Sequence, residues 1–163
     1  MSSVLRSASA GLLVGCLSST SADSLAQAPP TRPHHAIVAP VDVRWKALRP
    51  GAEIAVVSGD PDKDGSPFVI RFRYHGKARI PPHWHPVDEH LTVLSGAFRL
   101  GIGGRGDESA TTALGAGAYA FLPAKMAHYA WTDGDTTIQV HGIGPFVINY
   151  VNPADDPAKA GRN

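Results

Sequence analysis

The sequence predicts an all-β domain, a sandwich or barrel of many short strands, in a chain of 163 residues whose length suits one domain. Two observations carry this. The chain holds 17 glycines and 14 prolines while only 18% of its residues are charged, a balance that favours short strands joined by tight turns over a helical bundle. Apolar residues nowhere recur at the helical period over a useful length, whereas several short runs alternate apolar and polar side chains.

Residues 1–28 differ in composition from the rest of the chain. Arg6 charges a short n-region (MSSVLR), AGLLVGCL is a short apolar run, and a Ser/Thr-rich stretch ends at Ala26-Gln27-Ala28. The pattern predicts an export signal that stands outside the fold. Two kinds of processing fit it. Cleavage after Ala28 obeys the small-x-small rule, while Leu13-Val14-Gly15-Cys16 has the form of a lipobox in which Cys16 becomes a lipidated N-terminus. Either route places the mature protein outside the cytoplasm, periplasmic or secreted in the first case and lipid-anchored in the envelope in the second. Cys16 is the only cysteine, so the mature domain has no disulfide and no thiol ligand or nucleophile. No apolar run approaches the ~20 residues that span a bilayer, and a formal charge of +1 provides no basic face for nucleic acid.

The Pro-rich residues 29–40 form an extended lead-in. Strands are expected in quick succession over 41–48 and 53–58, before the turn Gly59–Gly65. The run 68–75 sets Ile70, Phe72 and Tyr74 against Arg71 and Arg73, the alternation of a strand with one buried face and one solvated face. Strands over 91–94 and 97–102 flank Ser95-Gly96, which reads as a hairpin turn. A Gly-rich loop over 103–112 comes next, then strands over 117–122, 127–131, 137–141 and 147–151. The domain thus spans 41–152, and residues 153–163 read as a frayed tail.

The chemistry concentrates in HWHPVDEHLTVLSG, residues 83–96. His83 and His85 stand two apart, so on a strand they share a face ~6–7 Å apart. Pro81-Pro82 gives them an extended entry, and Pro86 makes a bend after which Glu89 begins the next strand. His128, after the run GAYAFL and the turn PAKMA, is the candidate fourth ligand, carried on a hairpin. Three imidazoles and a carboxylate suit Zn, Fe(II), Mn(II), Ni(II) or Cu(II). On an octahedral ion they leave positions open, as a catalytic site does.

At these positions the chain resembles the cupins. Their first motif is matched by Gly76, His83, His85, Glu89 and Gly96, with six residues rather than five between Gly76 and His83; their second is matched by Gly117, Pro123 and His128. Lys125 stands where the second motif has Gly, and Thr132 where it has Asn. The Gly position needs a turn that often takes positive φ, so Lys125 implies either a remodelled turn or a role at the cavity mouth. The resemblance implies a double-stranded β-helix, a jelly-roll barrel, with one divalent metal held by His83, His85, Glu89 and His128. With such an ion the site would carry +1, which suits a small anionic chelating molecule. A looser likeness is to the cupin half of an anti-sigma factor.

The expected function is that of a metal-dependent enzyme on a small organic molecule, oxygenase-like, with lyase, isomerase or hydrolase chemistry open to the same ligands. The alternative is a non-catalytic metal or small-molecule binding or sensing module. Gln139, His141 and Tyr119 are candidates for substrate contact. Against this, Gln139 and His141 could form an exposed polar face, and Tyr119 could pack in the core with Phe121. His90 should face away from Glu89, Asp88 should serve the turn, and His34 and His35 should be solvated. Exposed edge strands predict a homodimer.

Overall fold

A computed structural model describes residues 35–160. The export signal, with Cys16 and Ala28, and His34 lie outside the described residues. Eleven strands run β1 (Lys46–Arg49), β2 (Ala52–Gly59), β3 (Pro67–Tyr74), β4 (Lys77–Trp84), β5 (Glu89–Ser95), β6 (Ala97–Ile102), β7 (Thr112–Gly115), β8 (Tyr119–Leu122), β9 (His128–Asp133), β10 (Thr136–Ile143) and β11 (Asn149–Tyr150). They form a six-stranded sheet, ordered β1-β2-β3-β10-β5-β8, and a five-stranded sheet, ordered β11-β4-β9-β6-β7. The two sheets make the jelly-roll barrel.

Alternation decides what each strand gives the core. Phe68, Ile70, Phe72 and Tyr74 of β3 are buried while Val69, Arg71 and Arg73 between them are half-buried. Ile138 and Val140 of β10 and Leu91 and Val93 of β5 join them from the larger sheet, and Phe98, Leu100 and Ala130 meet them from the smaller one. Val93 and Val140 are fully excluded from solvent, each contributing about 1.5–3 kcal/mol of apolar burial.

Two expected hairpins turn out to be corners. Residues 91–95 and 97–102 do form strands, but β5 pairs with β10 and β8, whereas β6 pairs with β7 and β9. Gly96 therefore carries the chain from one sheet to the other. It has φ of 79°, and a Cβ there would lie 2.3 Å from the Asp135 carbonyl oxygen. In the same way β8 belongs to the larger sheet and β9 to the smaller, so His128 is delivered by a crossover and not by a hairpin. Its turn contains Lys125 with φ of 65°, the one non-Gly residue with positive φ among the described residues. The turn keeps the glycine-type backbone despite the lysine, whose N–H donates to the His85 carbonyl at 2.7 Å. The Lys125 side chain is exposed and does not line the cavity.

Other departures are local. Residues 40–42 form a 3-10 turn, so the first strand begins only at Lys46. The stretch 77–84, of which the sequence marks only Pro81-Pro82 as extended, is a full strand, and Thr112–Gly115 adds another after the Gly-rich loop. The tail is not frayed from 153 onward. Asn152 caps a 3-10 turn at Pro153–Asp155, and a short helical turn, α1 (Pro157–Ala160), comes after it. Thr132 takes over a structural duty at the position of the motif's Asn. Its hydroxyl, on a residue 1% exposed, accepts from Ala78 N and donates to Gly76 O, each at 2.9 Å, tying β9 to the start of β4.

The two corners predict opposite responses. Gly96→Ala combines a positive φ with a backbone clash and should cost at least ~2 kcal/mol in denaturant unfolding. Lys125→Gly, which relieves a strained φ, should stabilise by about 0.5–1 kcal/mol. Gly115→Ala meets nothing within 4 Å and serves as the neutral control.

Candidate metal centre

The site is assembled by one irregularity in β4. Up to Ile80 this strand pairs with β9 in one register, Ile80 opposite Ala130; beyond Pro81-Pro82 the register has moved by one residue, and His83 stands opposite His128. Two consecutive prolines offer no N–H to the ladder, so the pairing breaks there and a bulge absorbs one residue. Because side chains alternate faces, a one-residue slip exchanges inside for outside. Ala78 and Ile80 pack against the core before the bulge, and the odd-numbered His83 and His85 turn inward after it. Without the slip, His83 would share the face of Arg79 and point away from His128.

His83, His85 and His128 are then all buried, at 6%, 3% and 4% exposure, and their ring nitrogens lie within 4.8 Å of one another. Each imidazole is oriented by a backbone carbonyl. His83 Nδ1 lies 2.7 Å from Pro81 O, His85 Nδ1 2.9 Å from Val147 O, and His128 Nδ1 3.0 Å from Met126 O. A carbonyl can only accept, so each Nδ1 must donate, which leaves Nε2 of each neutral ring with its lone pair free for a ligand. Phe146 stacks on the His85 ring with centroids 4.1 Å apart and holds its plane.

Glu89 enters from the opposite sheet, at the first position of β5, 5% exposed. Its Oε2 lies 3.2 Å from His128 Nε2 and 3.4 Å from His85 Nε2. These are contact distances without hydrogen-bond geometry, since both Glu89 Oε2 and His85 Nε2 lack a hydrogen-bond partner. A carboxylate oxygen and the Nε2 atoms of two imidazoles face one another, two of these atoms without a hydrogen-bond partner. A cation among them would offset the cost of burying such a donor set, so these residues fit a metal ion.

The electrostatics agree. Burial lowers the His83 imidazole to about 4, with His128 nearby adding to the effect, and burial lowers His85 as well. Burial would raise the Glu89 carboxyl, but the close approach of His128 and the charge of the imidazoles around it prevail and hold it below its ordinary range. Near neutral pH the site thus presents His83 and His85 as neutral imidazoles and Glu89 as an ionised carboxylate, the protonation states that metal binding requires.

These side chains stand at the end of an interior cavity of about 70 Å³. Its walls are mostly apolar, including Phe72, Leu91, Phe98, Leu100 and Ile138, and its polar lining beyond the four site residues consists of Arg49, Tyr74 and Tyr150. The volume is far below the ~300 Å³ of a drug-sized pocket, so the space suits a small molecule.

The other residues singled out in the sequence lie elsewhere. Gln139, His141 and Tyr119 are turned away from the cavity, on the outer face of the six-stranded sheet. Gln139 accepts from Arg71 Nε at 3.0 Å. His141 stacks on His90 with centroids 4.8 Å apart, and His90 Nδ1 is 2.7 Å from the Tyr119 hydroxyl. The reason is parity: Ile138 and Val140 take the inner face, so the residues between and beyond them face out. Tyr119 and Phe121 are 55% and 48% exposed, not core aromatics, because Ala120 and Leu122 of the edge strand β8 point inward instead. Asp88 serves the turn, accepting from Ala124 N at 2.8 Å, and His35 is exposed.

Comparison with known proteins agrees with this architecture. Residues 70–144 match the family model described as Cupin domain. This chain carries a cupin domain. Among solved structures, the barrel is similar to the polyketide cyclase RemF from Streptomyces resistomycificus, at 21% identity and a TM-score of 0.63 over 76% of this chain and 90% of that one. KdgF from Halomonas sp. is similar at 18% identity and a TM-score of 0.54, over 68% and 96%. The anti-sigma ChrR, solved with SigE from Rhodobacter sphaeroides, is similar at 24% identity and a TM-score of 0.50, over 64% of this chain and 50% of that one. At these identities the likeness is one of fold. No curated protein sequence matches the chain.

Sequence reading missed Phe146 and the Val147 carbonyl, which fix His85, and the cavity residues Arg49, Tyr74 and Tyr150. The alternation in β3 did mark Tyr74 as inward-facing; nothing local marks a carbonyl as an imidazole's partner.

The metal-free protein should be pH-dependent in its stability. An unfolded His83 takes up a proton near 6.5 and the folded one only near 4, so the unfolded state binds more protons between those values and stability falls as pH drops through that window, by roughly 3 kcal/mol in all. Glu89 adds a further loss below its ordinary value of 4.5. Urea unfolding of metal-free protein from pH 7 to 4 should show the decline, and His83→Gln should reduce it between 6.5 and 4, leaving the share that His85 carries.

Proposed function

We propose that this cupin is an exported, metal-dependent enzyme acting on a small organic molecule, with oxygenase-type chemistry as the leading reading. The observation that carries it is the convergence of three carbonyl-oriented imidazoles and one buried carboxylate on a small, mostly apolar cavity. A purely structural metal site is sealed by its ligands, whereas this one opens onto space for a second molecule.

When bound, a divalent ion such as iron, manganese, copper, nickel or zinc would supply Lewis acidity and coordination positions for the oxygens of a substrate. The chain's own residues do the rest. Pro81 O, Val147 O and Met126 O keep each Nε2 directed at one point. Glu89 contributes a negative charge that offsets part of the ion's. Phe72, Leu91, Phe98 and Ile138 keep bulk water from the reacting centre, which strengthens every charge interaction inside it.

A second reading is non-redox, metal-assisted chemistry, favoured by the likeness to a polyketide cyclase. A non-catalytic binding or sensing role is the competing class. Export rests on the sequence of residues 1–28, with Cys16 or the residue after Ala28 as the mature N-terminus. A homodimer is also part of the proposal, supported by the exposed Tyr119, Phe121 and Ile143 on and beside the outer sheet face; sedimentation would give the mass.

The deciding experiment monitors dioxygen uptake and substrate loss with iron-, manganese-, copper-, nickel- and zinc-loaded protein over a panel of small keto- and hydroxy-acids and enediols. Oxygen uptake coupled to substrate loss, abolished in Glu89→Gln, is the expected result. Substrate loss without oxygen uptake selects the non-redox reading. Binding of panel members with no turnover under any metal overturns the enzyme and leaves a binding module.

A further inference from the structure

The cavity that the imidazoles line also carries a second set of polar groups that the metal site does not use. Arg49 ends the edge strand β1 and reaches over to the other sheet, donating from Nη2 to the Arg79 carbonyl at 3.2 Å. That contact takes one of its five N–H donors, and no carboxylate among the described residues pairs with it. Its guanidinium carbon stands 6.0 Å from the centre of the Tyr74 ring. Tyr74, 6% exposed, lines the cavity, and its hydroxyl makes no hydrogen bond among the described residues. Tyr150 lines the same cavity, also without a hydrogen bond from its hydroxyl among the described residues, and its ring lies 6.2 Å from that of His83. Burial raises both phenols, so both remain protonated donors, while Arg49's charge pulls the other way.

A cation and two hydroxyls, without a carboxylate or hydroxyl partner among the described residues and lining one small cavity, can make an anion site. We propose that Arg49, Tyr74 and Tyr150 bind the distal carboxylate of the substrate, so that the substrate is a short dicarboxylate carrying an oxo or hydroxyl group beside its other carboxylate. The charges point the same way. A divalent ion and Arg49 together outweigh Glu89 by two positive charges, which a dianion matches and a monoanion does not. The planar fork of a guanidinium suits a carboxylate, and the small cavity favours that flat group over a tetrahedral phosphate. This inference rests on the metal-dependent reading, because the substrate's other end must chelate the ion.

The test compares malate with 2-hydroxybutyrate. Both carry the same hydroxy-acid chelating end, and they differ in the distal carboxylate, which 2-hydroxybutyrate replaces with a methyl group. Calorimetric titration of zinc-loaded protein should show malate binding at least ~10-fold tighter, the scale of one charge-assisted hydrogen-bonded pair. Arg49→Gln should reduce malate to the affinity of 2-hydroxybutyrate and leave the latter unchanged. Tyr74→Phe should shrink the preference severalfold. Zinc content and thermal midpoint equal to wild type establish that both variants are folded. Equal affinities in the wild type, failure of both acids to bind, or a malate preference that survives Arg49→Gln overturns the subsite. Failure of the metal reading has a different signature: malate is still preferred, but stripping zinc changes neither affinity.

Discussion

Pro81-Pro82 in β4 fixes where everything else must go. Two residues without N–H donors break the β4–β9 ladder, the register slips by one, and the side chains beyond it exchange faces. That exchange brings His83 opposite His128 and lets His85 follow two residues later. The same bulge frees the Pro81 carbonyl, which accepts from His83 Nδ1 at 2.7 Å. One local defect therefore sets both the position of a ligand and its tautomer. The cost is a weakened ladder at the barrel's end, carried by the continuous core of Ile70, Val93, Ile138 and Val140 farther inside.

The second constraint is charge. Four acceptor groups buried together are costly without a positive charge among them, and the orphaned Glu89 Oε2 and His85 Nε2 lie where the proposed ion would sit. Local conflicts of this kind persist in proteins where function needs them. The barrel supports the cluster from both sides, with three imidazoles on the five-stranded sheet or the segment just after β4 and the carboxylate on the six-stranded one. Site geometry and sheet packing thus hold each other in place: separating the sheets would remove Glu89 from the imidazoles.

Much of this was legible in the sequence, up to a boundary with physical causes. The alternation of β3 announced its buried face, and the spacing His-x-His, Glu, His gave the four site residues, which the structure brings together. The likeness to cupins at those residues named the fold. Strand pairing was not legible, because a Ser-Gly turn between two apolar runs serves a hairpin and a sheet-to-sheet corner equally; Gly96 is the latter. Facing was misjudged for Tyr119 and Phe121, since two aromatics in an edge strand look like core until their neighbours Ala120 and Leu122 are seen to fill it. Arg49 and Tyr150 escaped notice because they approach the cavity from strands distant in sequence from the motif and carry no pattern of their own. Lys125 illustrates the opposite case: the expected positive φ is kept by a residue that is strained by it.

The central claim is that these four side chains are built around a metal ion, and the direct test is the metal content of purified residues 29–163 by mass spectrometry, beside His83→Ala and His128→Ala. The account predicts close to one divalent ion per chain in the wild type and loss of that ion in both variants, with the fold retained by circular dichroism. A folded wild-type protein that holds no metal, even after incubation with iron, manganese, copper, nickel and zinc, would contradict it.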